Sequence, residues 1–175
     1  MGPRERVCRG VRRGEAPRSE QMTDMDRAQL LTAIRSAVDA APRPETALTQ
    51  VVRLLKDGVP HYTWVGIYLL DGNDLVLGPF LGKPSPHTRI PLGSGICGAA
   101  ASEHATIVVD DVNADPRYLA CSIETQSEIV VPIMRDGEVF GEIDIDSDAR
   151  AAFGQRDREL LEPIAAMLAD RLAER

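Results

Sequence analysis

Aromatic side chains are scarce in this chain. One tryptophan, three tyrosines and three phenylalanines make up only 4% of its 175 residues, so aliphatic side chains must do most of the packing. Their share, within 43% hydrophobic residues overall, suffices for one domain with one core. Cysteine is scarcer still: Cys8, Cys97 and Cys121 are the whole complement, and no apolar signal core precedes them. That argues against a structural disulfide framework and leaves reactive or simply buried thiols. His61, His87 and His104 share no ligand spacing with these thiols, and neither CxxC nor HExxH occurs, so no metal or other cofactor is expected. The longest apolar runs, such as Ile-Val-Val-Pro-Ile-Met at 129–134, are far too short to span a bilayer. The chain therefore reads as cytoplasmic, with no membrane partner.

Charge is unevenly spread. Residues 1–20 carry six arginines against Glu5, Glu15 and Glu20, whereas the rest carries 14 basic and 24 acidic residues, a net of −10. A body so acidic is a poor partner for nucleic acid. The Gly-, Pro- and Arg-rich stretch at 1–22 lacks periodicity and reads as a disordered basic tail, or as a start placed upstream of the true initiator at Met22 or Met25. Residues 23–175 read as the single folded domain.

Periodicity assigns the elements. Leu30, Leu31, Ile34 and Val38 recur at helical spacing behind a cap at Thr23 or Asp24, and Pro42 and Pro44 end that helix. A second helix runs from about Glu45 to the stop signals Gly58 and Pro60. The period then changes. Segments 63–70 and 75–80 flank Asp71-Gly72-Asn73-Asp74, and 127–135 and 138–146 flank Asp136-Gly137, both patterns of a β-hairpin. A short strand is expected at 107–110. The apolar stripe through Leu160, Leu161, Ile164, Leu168 and Leu172 predicts a final helix with Pro163 near its first turns. The fold class is thus α+β: a central antiparallel sheet with N- and C-terminal helices packed on one face.

Chemistry gathers between Gly93 and Asp146. On the strand 139–146, Glu142, Asp144 and Asp146 share one face, about 7 Å apart in succession. Alternation alone describes a solvated acidic face as well as a binding one. Glu128 opens a run that is apolar on both faces, so it sits at the mouth of a central strand or in a pocket. Carboxylates crowded in a pocket cannot all ionise, and one kept protonated near neutrality would supply a general acid. Trp64 and Tyr68 share a strand face with Gly66 between them, either as core packing or as the walls of a gap floored by backbone. Cys97, in Gly-Ser-Gly-Ile-Cys-Gly-Ala-Ala, is expected to start a short helix whose N-terminus eases its ionisation. Cys121 follows the Asp115-Pro116 turn.

The segments Gly78–Pro84, 93–100, 111–116, Leu119–Ser122, Ser127–Ile133 and Glu142–Ser147 together resemble the free methionine-(R)-sulfoxide reductases, catalytic members of the GAF domain superfamily. The likeness extends from about Leu30 to about Leu172. It implies a GAF-like domain with Cys121 as nucleophile, Glu128, Asp144 and Asp146 as substrate-binding and proton-donating acids, and Trp64 and Tyr68 as pocket aromatics. It further implies free methionine sulfoxide as substrate and a thioredoxin-like reductant; the expected assembly is a homodimer. The chain departs from the family pattern in the loop Ser85-Pro86-His87, where the main resolving cysteine is missing, and at Ser122, where an aspartate often stands. Cys97 is then the expected resolving thiol. A GAF module that binds a small polar metabolite without turnover is the alternative, and an interaction domain pairing through its terminal helices a third reading.

Overall fold

A computed structural model describes residues 22–119 and 122–174. The basic tail with Cys8, and Cys121 itself, lie outside the described residues. Thr23 caps the first helix, α1 (Asp24–Ala40): its hydroxyl accepts from the Asp26 amide while Asp26 Oδ2 accepts from the Thr23 amide at 2.9 Å. The second helix, α2 (Pro44–Gly58), starts on proline at its first position and buries Leu48, Val51, Val52 and Leu55.

The strands follow the hairpin reading. β1 (Trp64–Asp71) turns through Gly72 and Asn73 into β2 (Asp74–Leu81), and β5 (Ser127–Arg135) turns through Asp136 and Gly137 into β6 (Glu138–Ser147). Both Asp136 and Gly137 have positive φ, 54° and 83°, as a tight hairpin turn requires. Two three-residue strands complete the sheet, β3 (Arg89–Pro91) and β4 (Ile107–Val109), separated by α3 (Gly95–Glu103). The order is β3-β2-β1-β6-β5-β4 and every pairing is antiparallel. β3 was not foreseen from the sequence.

One sheet face carries Val65, Ile67, Ile129, Val131, Ile133, Ile143 and Ile145. These pack against α1, α2 and the C-terminal helix α4 (Gln155–Ala173) in the main core. The N- and C-terminal helices therefore share one face, as expected. α4 begins earlier than its apolar stripe, because Asp157 caps it by accepting from the Gly154 amide at 2.9 Å. Pro163 consequently falls inside the helix rather than near its first turns, a correction to the sequence reading. Among the described residues no helix is long and apolar enough to cross a membrane. The opposite sheet face is covered by α3 and by the loops after β2 and before β5, over a smaller cluster that includes Trp64, Tyr68, Ile96, Cys97 and Val130.

Candidate active site

Strand register builds the site. β1 pairs with β6 so that Trp64 stands opposite Asp146, Gly66 opposite Asp144 and Tyr68 opposite Glu142. On the other side of β6, Glu128 of β5 stands opposite Asp146 and Val130 opposite Asp144. Residues directly opposite in an antiparallel ladder point to the same face, so four carboxyl groups and two aromatic rings converge under α3. All six side chains are buried.

Glycine shapes the floor. A Cβ on Gly66 would lie 2.1 Å from the Trp64 ring edge, and one on Gly82, whose φ is +137°, 2.4 Å from its Cδ1. The indole is thus clasped between two backbone segments that tolerate no side chain. It donates Nε1–H to the Lys83 carbonyl at 2.9 Å and stacks on Phe80 with centroids 5.8 Å apart. The Tyr68 hydroxyl donates to the His87 carbonyl at 2.7 Å. Both aromatics therefore fasten the β2–β3 loop to the sheet with their polar atoms, while the Trp64 ring lines the cleft and the Tyr68 ring packs beneath it on the same sheet face.

Cys97, in the first turn of α3, points down at the acids. Its Sγ lies 3.5 Å from Asp144 Oδ2 and 3.8 Å from Glu128 Oε1. Asp146 Oδ2 accepts from Thr125 Oγ1 at 3.3 Å. Burial pushes every one of these carboxyls up, and their mutual repulsion adds to it: Asp144 to about 8, with Glu128 and Asp146 raised well above the carboxylate range. Burial and crowding therefore favour the protonated form of these acids, the state expected of one of them. The expectation for Cys97 is overturned. Burial first, then the charges of Asp144, Glu142 and Glu128, raise its thiol well above the usual value and outweigh the helix N-terminus. Cys97 is a protonated hydrogen-bond donor, not a poised thiolate.

A scan with the GAF domain model matches residues 43–172. The free methionine-R-sulfoxide reductase of Escherichia coli is 36% identical over 126 residues, which span 72% of this chain and 76% of that protein. This chain belongs to the free methionine-(R)-sulfoxide reductase family of GAF domains. The Saccharomyces cerevisiae member is 45% identical over 109 residues, 60% of each protein. The structure of the Neisseria meningitidis member in complex with its substrate superposes with a TM-score of 0.81 at 37% identity, over 87% of this chain and 93% of that one.

The sequence-predicted residues Trp64, Tyr68, Cys97, Glu128, Asp144 and Asp146 are thus brought together. Cys121 lies outside the described residues; Ser122, next to it in sequence, lines the cleft above Asp146, and Leu119 packs where a Cβ on Gly95 would stand, on the first turn of α3. Cys97 Sγ and one oxygen each of Glu128 and Asp144 lie within 4.8 Å of one another, the one donor set of metal-binding size among the described residues. No sequence spacing announced it, since the three come from α3, β5 and β6.

Glu142 is the functional candidate that sequence reasoning passed over. Alternation placed it on the acidic face, yet the family resemblance gave it no role. It is 0% exposed, neither carboxyl oxygen has a partner at hydrogen-bond geometry, and burial pushes it to about 8 against a weaker opposing pull from the nearby Cys97 thiol. An unpartnered buried carboxyl is tolerable only when neutral. Its proton is held up to about pH 8 in the folded protein and lost near the ordinary 4.5 in the unfolded chain. Unfolding between those values releases a proton, so stability is full below about pH 4.5 and declines as pH rises towards about 8. Asp144, raised from 3.8 to about 8, adds a slope of the same sign. Glu142→Gln, which cannot ionise, is expected to gain melting temperature over the unaltered protein progressively from pH 5 to 9 in parallel thermal scans. A constant difference across that range would show that Glu142 ionises in the fold near its ordinary 4.5, as it does in the unfolded chain.

Proposed function

We propose that the protein reduces free methionine-(R)-sulfoxide to methionine with a thiol cycle. The observation that carries this is a cluster of buried carboxyl groups on the sheet face of Trp64 and Tyr68, in a chain of this reductase family. A zwitterionic substrate suits it. The ring faces attract a polarised sulfur–methyl group and the acids an ammonium or a sulfoxide oxygen.

Cys121 Sγ attacks the sulfoxide sulfur as a thiolate while an acid among Glu128, Asp144 and Asp146 protonates the oxygen. The adduct joins the two sulfurs and carries a hydroxyl on the substrate's; that hydroxyl passes to Cys121 Sγ as the substrate S–O bond and the new S–S bond both break, so methionine leaves with the electron pair on sulfur and Cys121 is left as a sulfenic acid. The Cys97 thiol then displaces that oxygen as water and forms a Cys97–Cys121 disulfide. A dithiol reductant of thioredoxin type supplies two electrons and two protons to reopen it. The raised thiol of Cys97 supports a resolving rather than an attacking role, since it need ionise only once the sulfenic acid is formed beside it. A substrate ammonium lets one of these acids ionise beside it, and a methionine sulfoxide within a peptide brings no such charge, which favours the free amino acid.

Reductant consumption with free methionine-(R)-sulfoxide tests the activity, and peptide mass mapping after one stoichiometric addition tests the cycle. The expected product is a Cys97–Cys121 disulfide with one equivalent of methionine. A mixed disulfide between Cys121 and an added small thiol, with Cys97 free, would move the resolving step outside the chain. The loop Ser85-Pro86-His87, without a thiol, supports a second reading: a sensor module that binds the same ligand. Binding with no methionine formed would decide for it.

A further inference from the structure

An amino acid substrate carries a carboxylate as well as an ammonium, and the acids just described offer it no cation. Among the described residues whose side chains line the cleft above Asp146, Lys83 alone is cationic, whereas Glu124, Asp146 and Asp148 are acidic. We propose that the Lys83 ammonium is the receptor for the substrate's α-carboxylate, and that Glu124 holds it across the pocket mouth until substrate takes its place. The assignment rests on the reductase reading and deepens it.

Three features support it. First, the backbone at Lys83 is fixed while its side chain is not. Its carbonyl accepts the Trp64 indole N–H at 2.9 Å, and Gly82 lies too close to that ring for any side chain, so the Cα sits against the pocket wall. The four-carbon stem beyond it reaches over the rim and is 67% exposed. Second, Lys83 Nζ pairs with Glu124 Oε2, joining the β2–β3 loop to the segment that leads into β5. Both partners are largely solvated, and an exposed pair of this kind contributes little, so a ligand carboxylate can displace Glu124 at small cost. Third, the partner is where the ligand must be. Glu124 lines the same cleft as Asp146 and Trp64, so whatever replaces it on Lys83 extends over the pocket. A carboxylate tethered to an ammonium and a sulfoxide held by the inner acids meets that geometry, and a methionine sulfoxide inside a peptide, having neither charge, does not.

The competing account is an ordinary surface ion pair that braces two loops. The two accounts differ in sign at Glu124. If Glu124 competes with substrate, Glu124→Gln frees Lys83 and substrate binds equally well or more tightly. If the pair is a brace, Glu124→Gln and Lys83→Met loosen the mouth alike. Trp64 is the chain's single tryptophan and lines the pocket, so its fluorescence reports binding without turnover. Titration uses free methionine-(R)-sulfoxide and its α-carboxamide, at slightly acidic pH where the amide's amino group stays charged. The unaltered protein should bind the free acid about tenfold more tightly, the size of one partly solvated charge-assisted contact. Lys83→Met should lose that preference, with Kd and KM for the free acid raised about tenfold, the amide unaffected and kcat kept; Lys83→Arg should retain it. Equal binding of acid and amide by the unaltered protein, or a weakening by Glu124→Gln that matches Lys83→Met, overturns the assignment while leaving reduction intact. A protein that neither binds nor reduces either compound overturns the reductase reading and the assignment with it.

Discussion

Cys121→Ser is expected to abolish reduction of free methionine-(R)-sulfoxide, by about three orders of magnitude or more, with the fold retained. A serine hydroxyl cannot ionise near neutrality and forms no sulfenic acid, so the first step has no nucleophile. The thiol of Cys97 cannot take over. Cys97 is buried, lies 3.5 Å from Asp144 and 3.8 Å from Glu128, and its ionisation is opposed by burial and by three neighbouring acids. The two cysteines should therefore fail differently. Cys121→Ser forms no methionine at all, whereas Cys97→Ser completes one turnover, releases one equivalent of methionine and stops at a Cys121 sulfenic acid that a sulfenic-acid-specific diketone traps. Methionine quantified by mass spectrometry after one stoichiometric addition separates the cases. A full burst from Cys121→Ser and none from Cys97→Ser would reverse the two roles.

The sequence exposed the frame of this site better than its electrostatics. Hairpins announced themselves through Asp71–Asp74 and Asp136-Gly137, where turn chemistry and period-two alternation agree. β3 did not, because three residues among Pro84, Pro86 and Pro91 carry no pattern. Its pairing depends on buried Ile90 and on Arg89 bonding Asp74 at 2.9 Å and Asp71 at 3.0 Å, contacts that exist only after the chain folds back. Alternation put Glu142, Asp144 and Asp146 on one face, but whether water reaches that face is settled by α3 and two loops arriving from elsewhere. Family resemblance led to six of the pocket residues and past Glu142. For Cys97 a local rule, the helix N-terminus, predicted easy ionisation, and the partners that reverse it are 31 and 47 residues away in sequence. Short-range signals gave the right element and the wrong charge state, since desolvation is a property of the assembled layers.

Asp144 is where those layers meet, and its replacement is the second large effect. It stands opposite Gly66, the one position of β1 where the wall is bare backbone, and its Oδ2 is the nearer acceptor to Cys97. Its Oδ1 is buried without a hydrogen-bond partner, an orphaned atom that a substrate ammonium or sulfoxide oxygen would satisfy. Asp144→Asn keeps the shape and, because the aspartic acid is already neutral at pH 7, should change stability there by less than about 1 kcal/mol. Activity should not be spared. An amide holds no transferable proton and cannot ionise beside a substrate ammonium as the carboxyl can once that charge arrives, and a charge-assisted contact of about 1.5–3 kcal/mol corresponds to a fall in kcat/KM of about 10- to 150-fold. Loss of proton transfer would deepen it. The pH profile identifies the cause. With a carboxyl raised to about 8, an enzyme that needs the protonated form keeps its rate below that value and loses it as pH rises through it. In Asp144→Asn that limb should flatten or move. If the variant keeps both its rate and the alkaline limb, Asp144 is not the acid and only Glu128 and Asp146 remain to protonate the departing oxygen.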